Sequence, residues 1–171
     1  GASRIVIAGH SLGANMALSY AVARGNVAAV VMLSPGHAPG FFFSKSPEFR
    51  NALAKAHALV EGGQGAQPFS GPDDNQGRSV TLSTTAAIYY SWMSPMGMAS
   101  MNQQAPLLAA SIPVMTVMGK SENALANIQA TVYQPAAKNP YSIFVAVSGD
   151  HRSAAEAAVI DTVSWVRNLP Q

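Results

Sequence analysis

The chain has 171 residues, 49% of them hydrophobic and only 11% charged, with a net charge of +2 and no cysteine. That length suits one domain that buries about 70% of its unfolded surface, and a chain this apolar is not a disordered one. The missing cysteines exclude a disulfide scaffold and a thiolate zinc site, and the small, scattered positive charge argues against nucleic acid as a partner.

In chain order, residues 4–8 read as a strand. Leu12–Arg24 reads as a helix, with Ala14, Ala17, Leu18 and Ala21 at helical spacing and Gly25 just past its end. Residues 27–34 read as a second strand. Ser46-Pro47-Glu48 combines an N-cap, a first-turn proline and an acid favoured by the helix dipole, and Phe49, Leu53, Ala56 and Val60 then form one apolar stripe. Residues 62–77, rich in Gly, Pro, Gln and Asp, are expected to form a mobile loop, and Ser83 to cap a helix reaching Met93. Residues 112–118 and 141–147 supply two more strands. Ser153-x-x-Glu156 reads as a capping box opening a last helix that packs through Ala155, Ala158, Val159, Thr162 and Val166.

The four strand runs are apolar on both faces, as buried parallel strands are. Their order with the helices predicts an α/β fold, a mostly parallel sheet flanked by helices. The expectation is a single domain over residues 1–171 with a helical insertion at residues 35–111. That insertion has two compatible readings: a subdomain with its own small core, or a cap whose apolar side chains, Phe41, Trp92 and Met93 among them, form an adaptable pocket.

Gly9-His10-Ser11-Leu12-Gly13 is a G-x-S-x-G. Alone it is a common glycine-rich turn; its weight comes from the strand that runs into it and the helix that runs out. That is the strand–turn–helix of a nucleophile elbow, which raises a serine above the carboxyl edge of a sheet. The Leu12 N–H, at the positive end of the helix, would face a developing oxyanion. A serine hydroxyl needs a base. Of the four histidines, His151 follows the last strand at the same edge of the sheet. His10 points away from the serine and packs beside the site, His37 can border the pocket, and His57 lies outside its helix's apolar stripe. The base in turn needs a carboxylate. Glu122 follows the third strand at that edge, whereas Asp150 adjoins His151 and is better suited to shaping the turn.

The order Ser11, Glu122, His151 resembles that of α/β-hydrolases. With the elbow after residues 4–8, strands at 27–34, 112–118 and 141–147, and the insertion at 35–111, the sequence looks like the carboxyl-terminal half of that fold. Glu122 stands where the family more often has Asp. The resemblance implies a serine esterase using Ser11, Glu122 and His151, with no metal or organic cofactor and a small-molecule ester as substrate. It also implies that the family's amino-terminal strands, with a second oxyanion donor, are absent. The alternative is a catalytically inactive module with a binding or assembly role. Without those strands, residues 4–8 form an exposed apolar edge suited to self-association. No apolar run approaches the roughly 20 residues that cross a bilayer, no opening stretch reads as a signal peptide, and the compartment is left open.

Overall fold

The structure is a computed structural model that describes residues 4–75 and 78–170. Strand β1 (Val6–His10) leads through Ser11 into helix α1 (Leu12–Arg24), followed by β2 (Ala29–Leu33), α2 (Pro39–Lys45) and α3 (Pro47–Glu61). A hairpin of β3 (Pro68–Asn75) and β4 (Arg78–Thr85) precedes α4 (Ala86–Met93) and α5 (Met101–Gln104). Then come β5 (Val114–Gly119), α6 (Leu125–Ile128), α7 (Gln134–Ala136), β6 (Ile143–Val147), α8 (Ala154–Ala157) and α9 (Val159–Arg167).

Two compact units result. The first comprises the segments up to His37 and from Met101 onward; the second is the continuous stretch Ala38–Ser100, narrower than residues 35–111. The first unit holds a four-stranded sheet, ordered β1-β2-β5-β6 with every pair parallel. Because strand side chains alternate, β2 and β5 feed two cores. Val30, Met32, Val114 and Met118 pack with Ala14, Ala17, Leu18 and Ala21 of α1. Ala29, Val31, Met115 and Val117 face the other way, onto Ala154, Ala158, Trp165 and Leu169. Each large side chain so enclosed contributes about 1.5–3 kcal/mol of apolar transfer.

Helix α1 spans the predicted residues. Gly25 ends it at φ 63°, a left-handed value that glycine adopts without strain, with its N–H on the Ala21 carbonyl. The first strand is displaced from the predicted 4–8. It runs on through Gly9 and His10, which pair with Met32 and Leu33 of β2, so the ladder continues past the point where the apolar signal stops. The predicted last helix is two. At Ser153 the backbone is already helical and the hydroxyl bonds Asp150 instead of capping, so no capping box forms. Val159 of the expected packing face is exposed, and Trp165 and Leu169 are buried in its place. Between β5 and β6 a five-residue π-type turn (Gln129–Tyr133) lies beside Pro135, which has no N–H to continue an α-helical ladder.

The second unit has its own core of Phe49, Leu53, Ala56, Ala86, Tyr89 and Met93. Ser46 caps α3 by accepting from the Phe49 N–H, as the sequence predicts. The expected loop over 62–77 is corrected. From Pro68 onward the chain is strand, paired with the Thr- and Ser-rich β4, and residues 76 and 77 lie outside the described residues. Its Gly, Pro and Asp content conceals a strand held from beneath. A Cβ on Gly71 would fall within 2.5 Å of the Tyr89 ring, and the Tyr89 hydroxyl donates to the Pro72 carbonyl (2.8 Å). Because β4 extends to Thr85, Thr85 rather than Ser83 caps α4, accepting from the Ile88 N–H.

Candidate active site

The site lies at the carboxyl ends of β1, β2, β5 and β6, where parallel strands all deliver their following loops to one edge. Ser11 joins β1 to α1 at φ 54° and ψ −120°, a strained conformation for a residue with a side chain. Its N–H donates to the Leu33 carbonyl (2.9 Å) and its carbonyl accepts from Ala14 N–H (3.0 Å). The tight turn depends on Gly9, where a Cβ would lie 2.0 Å from the Gly13 carbonyl oxygen. Gly13 carries no such demand, since a Cβ there meets nothing within 4 Å. Leu12 is the first residue of α1, so its N–H has no partner within the helix and sits at the positive end of the helix dipole.

Ser11 Oγ lies 2.9 Å from His151 Nε2, and His151 Nδ1 lies 3.0 Å from Glu122 Oε2. A carboxylate only accepts, so Nδ1 carries the imidazole proton, and Nε2 of the neutral ring is the acceptor for the serine hydroxyl. The Glu122 side chain is 8% exposed, that of His151 22%. Glu122 Oε1 is also held: the Ser34 hydroxyl donates to it at 2.7 Å and the Gly119 N–H at 2.6 Å. One carboxylate oxygen is thus fixed by the residue that follows β2 and by the end of β5, while the other faces the histidine. Ser34, fully buried at φ 42°, stores backbone strain to reach it.

The loop carrying His151 is shaped by Asp150. Its Oδ1 accepts from the backbone N–H of Arg152 (3.1 Å) and of Ser153 (3.0 Å) and from the Ser153 hydroxyl (2.8 Å). These bonds, the Ser153 N–H first among them, hold its carboxyl below the ordinary aspartate range. The Ser121 N–H on the Gly149 carbonyl (3.0 Å) ties this loop to the one bearing Glu122.

His10 turns Nε2 to the His151 carbonyl oxygen (2.7 Å), its ring 5.0 Å from that of His151. His37 is buried, and both ends of the Asn15 amide grip its backbone: Nδ2 donates to its carbonyl (2.9 Å) and Oδ1 accepts from its N–H (3.4 Å). His57 is exposed, near Glu61 (3.4 Å) and stacked on Tyr90. In the second unit, Phe41 lines a cleft of about 400 Å³ with Phe42, Phe49, Glu48 and Asp73. Trp92 packs against that unit's core and Met93 is enclosed in it, so Met93 does not line the cleft.

Three residues escaped the sequence reading. Ser34 and Asn15 left a trace, as polar side chains in otherwise apolar, buried positions. Gly36 left none: its backbone passes so close that a Cβ would lie 2.8 Å from Ser11 Oγ and 2.9 Å from His151 Cε1. Among the described residues no group of three or more His, Asp or Glu is placed to hold a metal, and no helix is long and apolar enough to cross a membrane.

No protein-family model and no curated protein matches the sequence. Solved structures do match. The structure is similar to that of GrgF, described as an alpha/beta hydrolase, from Penicillium sp. sh18, with a TM-score of 0.66 and 16% identity over 96% of this chain and 63% of that one. A thermostable carboxyl esterase from Bacillus coagulans matches with a TM-score of 0.58 and 13% identity, over 97% of this chain and 65% of its own. A monoacylglycerol lipase from Paleococcus ferrophilus matches with a TM-score of 0.56 and 20% identity, over 96% of this chain and 68% of its own. The chain therefore spans about two-thirds of the length of these proteins, and at such identities the likeness is one of fold.

Proposed function

We propose that this chain, which has the α/β-hydrolase fold, is a serine hydrolase that cleaves carboxylic esters through an acyl-enzyme. One observation carries the reading: the unbroken hydrogen-bonded line from Ser11 Oγ through the His151 ring to Glu122, at 2.9 and 3.0 Å. Heavy-atom separations in this range allow direct proton transfer from hydroxyl to base. A strained serine at a helix N-terminus, a carboxylate fixed by Ser34 and Gly119, and a base on a braced loop have a common chemical use.

In the proposed reaction Ser11 Oγ attacks the acyl carbon while His151 Nε2 takes its proton. The Glu122 carboxylate stabilises the imidazolium so formed and keeps the ring oriented. The Leu12 N–H is one donor to the oxyanion; a donor of this kind is typically worth about 100- to 1000-fold in turnover. The imidazolium then protonates the leaving alcohol. Water, activated by the same nitrogen, releases the acid and restores Ser11. Esters are favoured as the substrate class by the resemblance in fold to an esterase and a lipase.

Labelling with a fluorophosphonate, read by intact mass and peptide mapping, tests this. A stoichiometric adduct on Ser11 that is absent from Ser11→Ala is the expected result. A folded protein without an adduct refutes it and leaves a binding or assembly role for the fold.

A further inference from the structure

The residue preceding the nucleophile does something the triad does not require of it. His10 ends β1, and its Nε2 meets the backbone carbonyl oxygen of His151 at 2.7 Å. A carbonyl can only accept, so the proton on His10 resides on Nε2 and the bond is a donation from elbow to base loop. The two imidazoles sit 5.0 Å apart, tilted by 43°. We propose that His10 is a positioning residue for the base: it anchors the His151 backbone to the nucleophile's own strand, so that Nε2 of His151 stays over Ser11 Oγ.

The base loop has other backbone restraints, but among the described residues none of them reaches the elbow. The Ser121 N–H on the Gly149 carbonyl ties it to the Glu122 loop, and Asp150 with Ser153 closes its turn. These restraints act at Gly149 or between Asp150 and Ser153, not at His151 itself. The His10 bond acts at His151 itself and toward the elbow. The ring that must meet Ser11 on one nitrogen and Glu122 on the other is thus fixed at its backbone by the residue adjoining Ser11. Serine and base are then referenced to one strand end, and the 2.9 Å separation between them is set over a short path.

This inference rests on the proposed hydrolase reading, and its test separates the two. His10→Phe keeps a ring and removes the donor; His10→Gln keeps an N–H donor at nearly the Nε2 position. The readouts are the rate of fluorophosphonate labelling at Ser11, kcat and KM on a small ester, and the ¹⁵N and ¹H resonances of the His151 ring. Losing one net hydrogen bond is expected to slow labelling and kcat about five- to tenfold in His10→Phe, with KM unchanged. The His151 Nδ1–H resonance should broaden or shift, and His10→Gln should recover most of both. A His10→Phe protein with the wild-type labelling rate and unaltered His151 resonances overturns the inference, as does a His10→Gln protein as impaired as His10→Phe. An unlabelled wild-type protein sinks the hydrolase reading instead. The His151 resonances then decide the anchor alone, unchanged in His10→Phe against it and shifted for it.

Discussion

Replacing Gly36 with Ala probes the site with one methyl group. The Gly36 backbone is not in the left-handed region, so alanine meets no conformational penalty there. Its Cβ would lie 2.8 Å from Ser11 Oγ and 2.9 Å from His151 Cε1, where ordinary contact begins at 3.4 Å. Each partner must therefore recede by roughly half an ångström, and the two lie on either side of the hydrogen bond that the proposed reaction would use. A shift of that size takes the 2.9 Å Ser11–His151 bond to the edge of hydrogen-bonding distance. Misplacement by about 1 Å can cost 100-fold in rate, so a loss of about 10- to 100-fold in kcat/KM and in labelling rate is expected. Stability should change little, because the methyl group also lowers the entropy of the unfolded chain by about 0.4–1 kcal/mol, which offsets the crowding. The assay pairs ester hydrolysis and fluorophosphonate labelling with a thermal melt. A Gly36→Ala protein that melts like wild type and labels at the wild-type rate would mean that the methyl group leaves Ser11 and His151 undisturbed. Collapse of the fold would show instead that the glycine serves packing rather than the site.

Other outcomes follow from the same geometry. Ser34→Ala removes one of two donors to Glu122 Oε1 and should lower kcat about five- to tenfold with KM unchanged, read by ester kinetics; an unaltered kcat would mean that Gly119 alone suffices. Thr116 is fully buried in β5 with its hydroxyl unpartnered, so Thr116→Val should raise stability by about 1 kcal/mol in a denaturant titration. Burial first, then the carboxylates of Asp73 and Glu48, pushes the Tyr89 phenol from 10.0 up to about 12. Between those values the unfolded chain gives up that proton while the folded chain keeps it. Stability therefore declines as pH rises through this window, and Tyr89→Phe should remove that part of the slope. Among the described residues β1 is an edge strand, and open edges recruit other chains. Light scattering at micromolar concentration should show a species larger than the monomer, and a monodisperse monomer refutes this.

The first unit was largely legible because its signals are strong and local. Runs such as Val30-Val31-Met32 are apolar on both faces because both faces are covered, and α1 is bounded by a tight turn and a glycine. Ser11, Glu122 and His151 could be named because parallel strands place their carboxyl-end loops on one edge. What escaped depends on tertiary contact. Strand β3 contains Gly71, Pro72, Asp73 and Asp74, which discourage a strand, and its stability comes from pairing with β4 and from Tyr89, which lies beyond both strands in α4. The capping box failed because Asp150 competed for the Ser153 hydroxyl, a choice between two local bonds that spacing does not resolve. Gly36 and Asn15 matter through a close approach and a paired amide, and neither has a periodicity.

The division of the chain also bears on the order in which it folds. The second unit is one uninterrupted stretch, Ala38–Ser100, with its own core, whereas the sheet of the first must join Val30 to Val114 across it. Closing a loop costs entropy that grows with its flexible length. Collapse of the stretch between onto Phe49 and Tyr89 would leave less flexible chain to close than the sequence separation implies. The β2–β5 ladder joins strands more distant in sequence than the sheet's other two pairings do, and it is the step that earlier collapse of the intervening stretch would accelerate. A destabilising change in the second core, such as Leu53→Ala, would then slow formation of a sheet that it does not belong to.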